Sequence, residues 1–150
     1  MLGALTKEQS EQVLRSEVIG RLGCYAEGKV YVVPITYVFD GKYIYAHSKE
    51  GLKIQMMRKN PKVCFEVDRI DNMANWRSVI VWGKYEELKE KDQEKAMKFL
   101  KDRLAPLLLS ESVKPTHSTL GPETVIKQRK AVAFRISATE ITGRFEKTNN

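Results

Sequence analysis

The sequence predicts a mainly β protein, a small closed or nearly closed antiparallel barrel with a few short helices. About six stretches are rich in β-branched and aromatic residues, and turn residues separate them. Asp40-Gly41 joins two of these stretches and is the strongest hairpin signal in the chain. The length of 150 residues and the hydrophobic content of 42% suit one core, so we expect residues 1–150 to form a single domain.

The first half is predicted to be a meander of antiparallel strands that follows one helix. Thr6 and Gln9 have the spacing of a capping box, which predicts a helix that ends near Glu17. Strands are then predicted at 20–26, 29–39 and 42–46, with turns at 27–28 and 40–41. Pro34 removes a ladder donor from the second of these strands, so it is expected at an edge, a bulge or a strand end.

The second half is predicted to contain two helices and four strands. Asn60-Pro61 ends the first of these helices, because proline cannot continue it. The elements in order are a helix at 51–59, a strand at 62–67, a polar loop at 68–75, a strand at 76–88, a helix at 91–104, an irregular loop at 105–123, and strands at 125–136 and 139–145. Gly83 is interpreted as a bulge or a bend in the long strand.

The charge, the hydropathy and the cysteine content indicate which classes of protein are not favoured. The net charge of +7 favours anionic partners, but the lysines are mixed with glutamates and form no block, so nucleic acid is not favoured. No apolar run approaches the ~18 residues of a membrane span, and the first residues lack the pattern of a signal peptide. Cys24 and Cys64 lie in apolar stretches without metal-ligand spacing, so we expect free thiols in a reducing cytoplasm.

A candidate anion site lies where a strand ends at His47-Ser48 and a helix begins near Gly51. The start of a helix presents free N–H groups and the positive end of a dipole, and both favour an anion. Ser48 adds a hydroxyl donor, Gly51 allows the backbone to approach closely, and Lys53 adds a positive charge. A terminal phosphate would suit this set, and a solvated junction between loop and helix explains the same residues about equally well.

The strand that contains Pro34 is a second candidate. The backbone of Val33, Pro34, Ile35 and Thr36 is expected to face something other than a neighbouring strand, because Pro34 interrupts the ladder. A flat polar ring could use those backbone groups. The alternative is an edge strand that proline protects against aggregation.

The start of the long strand is a third candidate. Arg77 and Ser78 precede an apolar run that begins at Val79, and polar groups there could donate hydrogen bonds into a pocket. A plain strand end with an arginine whose head reaches solvent is equally consistent with this pattern.

Metal and nucleotide motifs are absent from the sequence. His47 and His117 have neither HExxH spacing nor nearby cysteines, and no GxGxxG or GxxxxGK[ST] run occurs. Nothing in the local sequence supports a nucleophile–base pair of Cys64 with His47. His117 lies in the proline-containing loop, where it could belong to a lid over a pocket or be exposed to solvent.

Four motifs in this order resemble the pyridoxamine 5′-phosphate oxidase-like flavoproteins, the FMN-binding split-barrel family. The resemblance is greatest to the branch that includes nitroimidazole-resistance proteins, and it covers roughly residues 8–145. The motifs that carry it are VVPITYVFDGKYIYAHS, GLKIQMMRKNPKVCFEV, WRSVIVWGKYEEL and ATEITGRFE.

The resemblance implies a six-stranded antiparallel split β-barrel that forms a homodimer, with FMN rather than FAD in the cleft between subunits. Val33, Pro34, Ile35 and Thr36 would line the isoalloxazine ring through their backbone. His47 and Ser48 would lie by the ribityl-phosphate, Lys53 would pair with the phosphate, and Ser78 and Val79 would approach the polar edge of the ring.

The chain departs from the vitamin-B6 oxidases at two places. Those enzymes carry a second basic residue just before the phosphate lysine, where this chain has Leu52, and they end in a basic substrate-binding segment, where this chain ends in GRFEKTNN. We therefore do not expect pyridoxamine phosphate to be the substrate.

The resulting hypothesis is an FMN-dependent oxidoreductase that passes electrons from a small-molecule donor, such as a nicotinamide, to a small organic acceptor. The flavin would carry the redox chemistry, so no side chain is assigned as an acid or a base. The alternative is a carrier or sensor module that binds flavin or haem without turnover, with His47 or His117 as a haem ligand. A basic nucleic-acid-binding barrel is a third hypothesis, which would require aromatic side chains interleaved with lysines on one sheet face.

Overall fold

The computed structural model describes residues 1–108 and 131–149. The strands are β1 (Leu2–Ala4), β2 (Ile19–Ala26), β3 (Lys29–Thr36), β4 (Val38–Phe39), β5 (Tyr43–Ser48), β6 (Lys62–Asn72), β7 (Asn75–Glu87), β8 (Val132–Ser137) and β9 (Glu140–Glu146). The helices are α1 (Lys7–Ser16), α2 (Leu52–Lys59) and α3 (Glu90–Leu108). No helix within these described ranges is long and apolar enough to cross a membrane.

The strands form a curled antiparallel sheet in the order β3-β2-β6-β7-β8-β5-β4. Strand β9 pairs with both β7 and β1 beside this path. The two ends of the order, β3 and β4, are consecutive in the chain and are separated only by Tyr37. One extended segment therefore borders both ends of the sheet, which gives the sheet the shape of a split barrel and confirms the predicted mainly β class.

Tyr37 lies between β3 and β4, and both its amide and its side chain make hydrogen bonds to the segment of α1 and the residues after it. Its amide donates to the Val18 carbonyl at 2.9 Å, and its hydroxyl donates to the Leu14 carbonyl in α1 at 2.8 Å. The ring packs edge-on against Phe65 with 4.8 Å between the centroids. Burial raises the pKa of the Tyr37 phenol well above its ordinary value, so this residue stays a neutral donor.

The core is formed by inward-facing residues of the strands together with apolar residues of α1 and α2. Its fully buried members include Leu14, Leu22, Ile44, Ile54, Met57, Phe65, Val67, Val79, Phe134 and Ile136. Ile54 and Met57 come from α2, which packs against β2. This packing fixes the start of α2 relative to the β2–β3 hairpin.

Several predicted features are confirmed. The capping box at the start of α1 is present, with the Gln9 amide donating to Thr6 Oγ1 at 3.1 Å and the Thr6 amide donating to Gln9 Oε1 at 2.9 Å. The turn at Asp40-Gly41 joins β4 to β5 as an antiparallel pair. Pro34 lies on β3, which is an end strand of the sheet order, as the missing N–H predicts.

Four boundaries were predicted wrongly. The polar stretch at 68–75 is not a loop, because β6 continues to Asn72 and its polar residues pair with β7 beyond the edge of the core. Helix α3 runs through Pro106, and the strand predicted at 29–39 is broken at Tyr37. Strand β1 was missed because three residues that pair with β9 carry no strand pattern of their own. The predicted strand at 125–136 is described from Val132 onward, and most of the loop predicted at 105–123 lies outside the described residues.

Gly83 occupies the position where β7 changes partners, and no bulge occurs there. The β6–β7 register runs unbroken through Val63 opposite Gly83, while β7 pairs with β9 up to Trp82 and with β8 from Tyr85. A Cβ atom on Gly83 would collide with the carbonyl oxygen of Ser137. Glycine is needed here because another backbone approaches closely.

Gly83→Ala is expected to lower the free energy of unfolding by about 1–3 kcal/mol, because the added methyl group has to displace backbone of β8. The measurement is the urea midpoint followed by far-UV circular dichroism. Gly23→Ala is the matched control, since a Cβ there would lie 3.5 Å from the Cys64 carbonyl oxygen in ordinary contact. Equal midpoints for the two variants would contradict this account of Gly83.

Candidate functional site

The start of α2 has no side-chain cap. Gly51 is the N-cap residue and no side chain accepts from the first turn, in contrast to the capping box of α1. The first turn of α2 also contains no acidic residue. Its free N–H groups and the positive end of its dipole are therefore directed at the space beside the end of β5. Gly51 is extended, with φ of −179°, so its conformation is open to any residue.

Lys53 lies in this uncapped first turn and is half-buried. Its charge acts on the Cys24 thiol of β2: burial raises the pKa of that thiol, and the positive charge of Lys53 opposes the rise. Among residues 1–108 and 131–149, no carboxylate oxygen lies within 4.0 Å of the Lys53 ammonium. A positive charge is thus held between α2 and β2 without an anionic partner from the described chain.

The turn before α2 is tied to the rest of the barrel by Arg58. Arg58 Nη1 and Nη2 donate to the two carboxylate oxygens of Glu50 at 2.9 and 2.6 Å, and Arg58 Nε donates to Glu87 Oε1 at 2.8 Å. The Tyr85 hydroxyl donates to the same Glu87 oxygen at 2.8 Å. Hydrogen bonding to Arg58 lowers the pKa of Glu87. We call Glu50, Arg58, Tyr85 and Glu87 the Arg58 clamp.

The Arg58 clamp also matters for the charge of the site. Glu50 is the residue just before Gly51, so a free carboxylate there would repel any anion bound at the start of α2. The bidentate pair with Arg58 neutralises that carboxylate and turns it toward the C-terminal end of the helix. No local sequence pattern indicates this network, because Arg58 and Glu87 are 29 residues apart.

His47 and Ser48 end β5 beside this turn. They pair with Ala133 and Val132 of β8, so their backbone is fixed by the sheet. The Ser48 hydroxyl donates to the Lys49 carbonyl at 2.9 Å. The His47 side chain is exposed, but partial desolvation lowers the pKa of its imidazole below the ordinary value of 6.5, which favours the neutral ring at pH 7.

The stretch from Val33 to Thr36 forms the end of β3. Ile35 faces the core, while Pro34 and Thr36 are exposed. Because β3 ends the sheet order, half of its backbone groups point away from β2. The pairing of β3 with β2 continues unbroken from Val33 to Thr36, so the prediction that Pro34 interrupts the ladder was wrong. The free backbone groups here are those of an edge strand.

Ser78 and Val79 are placed differently from the other candidate residues. Two strands, β2 and β6, lie between β7 and β3, a separation of roughly 14 Å along the sheet. The Ser78 hydroxyl donates to Glu66 Oε2 at 3.0 Å on the outer face. Val79 is fully buried and lies between β6 and β9, so its side chain belongs to the core. One chain does not bring these two residues next to Val33–Thr36.

No group of three or more metal-ligating side chains comes together within the described ranges. Cys24 and Cys64 are both free, with Cys24 buried and Cys64 half-buried. His117 lies outside the described residues.

Residues 6–145 match the profile of the family described as pyridoxamine 5′-phosphate oxidase. The chain belongs to this pyridoxamine 5′-phosphate oxidase-like FMN-binding split-barrel family.

Solved structures similar to this chain include an FAD-binding protein of Mesorhizobium loti, 31% identical, with a TM-score of 0.75 over 97% of this chain and 98% of that one. A candidate 5-nitroimidazole antibiotic resistance protein of Bacteroides thetaiotaomicron shares the fold, at 19% identity and a TM-score of 0.73 over 97% of this chain and 87% of that one. An uncharacterized protein of Rhizobium meliloti is 37% identical over 84 residues, which span 56% of each protein.

Arg58→Met is expected to loosen the turn before α2, because it releases both Glu50 and Glu87. Amide hydrogen exchange at residues 49–52 should become faster, while the free energy of unfolding falls by no more than about 1 kcal/mol, since the ion pairs are exposed. Lys59→Met is the matched control, because Lys59 pairs instead with Glu27 in the turn between β2 and β3. Unchanged exchange in Arg58→Met would show that the clamp does not hold the turn.

Proposed function

We propose that this protein is an FMN-binding oxidoreductase that binds the flavin phosphate at the start of α2. The observation that carries the proposal is the uncapped first turn, which contains no acidic residue and holds Lys53 without a carboxylate partner among the described residues. Those free N–H groups and that charge form the kind of site in which a phosphate gains hydrogen bonds and charge pairing together. The family in which the chain falls is named for a flavoenzyme, and this supports the same conclusion.

Each candidate residue has a role in this proposal. Lys53 and the N–H groups that follow Gly51 hold the phosphate, and Ser48 and His47 border the ribityl chain. The free backbone edge of Val33, Pro34, Ile35 and Thr36 accompanies the isoalloxazine ring. The Arg58 clamp keeps Glu50 neutralised beside the phosphate. When bound, the flavin supplies the redox chemistry, and the chain binds it, orients it and excludes water.

The acceptor is proposed to be a small organic molecule other than pyridoxamine phosphate. Leu52, which is exposed, occupies the place where a second basic residue would serve the oxidase proper. We propose FMN in preference to FAD, because the described site has one helix start with one lysine, Lys53, which suits a single terminal phosphate. The Mesorhizobium loti protein is described as FAD-binding, so both flavins belong in the same titration.

The flavin is proposed to lie between two copies of the chain. Exposed apolar residues on the outer face of β2, β3 and β7 border a groove of about 450 Å³, with Val30 and Val32 70% and 61% exposed. Such an apolar patch is typical of a protein–protein interface. A second copy would also provide the outer face at Ser78, which two intervening strands separate from β3 within one chain. Val79 is core and is not part of that surface.

Lys53→Glu is expected to abolish flavin binding, because it replaces the lysine in the first turn of α2 by a charge that repels phosphate. Purified protein is mixed with excess FMN or FAD and desalted, and retained flavin is read from its visible absorbance. Lys98→Glu on α3 is the control with the same change of charge, and both variants should keep the parent circular dichroism spectrum.

The outcomes separate the parts of the proposal. Flavin retained by the parent and by Lys98→Glu but not by Lys53→Glu supports the phosphate site. Retention by Lys53→Glu equal to the parent would refute the site while leaving flavin binding intact. A parent that retains neither flavin would refute the proposed function itself.

Trp82→Glu is expected to convert a dimer into a monomer, because it places a charge in the apolar groove. Light scattering should give a mass of about twice 17.2 kDa for the parent and the mass of one chain, 17.2 kDa, for the variant. Met73 lies in the turn between β6 and β7 and is 93% exposed. Met73→Glu is the control and should remain dimeric. A monomeric parent would contradict a cleft between subunits.

A further inference from the structure

A second cavity, of about 630 Å³, lies between α1 and the β6–β7 hairpin. Its remaining walls come from the N-terminal residues and from the end of β9. None of the residues proposed for the flavin lines it. Its volume is within the range of pockets that bind small molecules, which is about 300–1,000 Å³.

The strand register decides which side chains of the hairpin face this cavity. Alternate residues of a strand point to opposite faces of the sheet, and directly opposite residues of two paired strands share a face. Val67 and Val79 are directly opposite each other on β6 and β7 and are fully buried in the core. Arg69 and Arg77 are the next pair on that same face. The inner face of the sheet therefore changes from core valines to two arginines where the cavity begins.

The positive charge of this arginine pair is incompletely neutralised. Like charges at directly opposite positions of two strands repel each other. Arg69 has Asp71 as a partner at 3.9 Å. Arg77, by contrast, has no carboxylate within 4.0 Å in the two ranges of the chain that the structure describes. An anion beside the two strands would relieve the repulsion and pair with the Arg77 guanidinium.

The residues of β9 next to the cavity are divided between the two faces of the sheet. Phe145 lies directly opposite Arg77, so both are on the inner face. Glu146 lies opposite Trp76 on the outer face, where its Oε2 accepts from the indole Nε1 at 3.1 Å. The Glu146 carboxylate is therefore directed away from the arginine pair. Lys147, which also lines the cavity, adds a further cation.

Apolar side chains lie beside the arginines within the same cavity. Leu5 packs against the core, and Val13 of α1 is part of the core. The Phe145 ring covers Gly3 of β1, because a Cβ atom on Gly3 would lie only 2.7 Å from it. Gln12 lines the cavity from α1 and carries no charge. The cavity thus combines a cationic end on the hairpin with an apolar surface on α1, the N-terminal segment and β9.

We propose that this cavity binds an aliphatic carboxylate, with the carboxylate on Arg77 and the hydrocarbon chain along Phe145 and Leu5. A guanidinium donates two parallel hydrogen bonds to a carboxylate, and the chain is stabilised by leaving water for the apolar side chains. A ligand with both parts binds more tightly than a ligand with either alone. The site does not depend on the flavin, because the cavity and the start of α2 share no residue.

The test is calorimetric titration of the full-length protein as purified, with octanoate as the probe and octan-1-ol as its neutral counterpart. Octanoate should bind more tightly than the alcohol, because only the carboxylate pairs with Arg77. Arg77→Gln should weaken octanoate binding about tenfold or more, the range of a lost charged hydrogen bond, and leave the alcohol unchanged. Arg144→Gln is the control with the same change of charge, because Arg144 lies opposite Ser78 on the outer face.

A second variant and a series of chain lengths test the two ends of the cavity separately. Gln12→Glu places a carboxylate on the α1 wall and should weaken octanoate binding without affecting the alcohol, because it repels the probe or pairs with Arg77 in its place. Affinity should rise from butyrate through hexanoate to octanoate, by about fourfold for each methylene group that is buried. Excess FMN should displace none of these probes.

Four results would overturn the proposal. They are no binding of octanoate at millimolar concentration, equal binding of octanoate by Arg77→Gln and Arg144→Gln, equal affinity for butyrate and octanoate, and displacement of octanoate by FMN. The second would remove the role of the arginine, and the third would remove the role of the apolar surface. The last would place the probe in the flavin site instead.

Discussion

The fold depends on the point at which one extended segment stops pairing with β2 and begins pairing with β5. Tyr37 occupies that point, and its amide and hydroxyl are both bonded to the segment that includes α1 and the residues after it. Because its phenol is buried and its pKa is raised, the hydroxyl remains a donor and the helix stays anchored inside the split barrel. The edge of β3 and the start of α2 then take their positions from this closure.

The charged residues near α2 are of two kinds, those that pair with one another and one that has no partner among the described residues. Glu50, Arg58 and Glu87 satisfy one another within the Arg58 clamp, while Lys53 stays without an anionic partner among the described residues. A helix that would otherwise be capped by its own side chains instead leaves its donors free, which is a local cost that a bound phosphate would offset.

Much of the candidate site was predictable from local sequence. Ser48, Gly51 and Lys53 meet at a strand–helix junction that residue types alone indicate, and Pro34 by its missing donor indicates the end of a sheet. The Arg58 clamp was not predictable, because it joins residues from elements far apart in the chain. The polar stretch after Val67 was misjudged for a related reason, since its strand is held by β7 and not by burial of its side chains.

By itself the sequence determined the mainly β class, the capping box of α1, the hairpin at Asp40-Gly41 and the position of the cationic helix start. Each follows from interactions between residues close together in the chain, which local propensities encode. Only the tertiary structure decided that another backbone passes close to Gly83, that Val79 is core and that two strands separate Ser78 from β3. These are consequences of sheet order, which is set by long-range packing and by the closure at Tyr37.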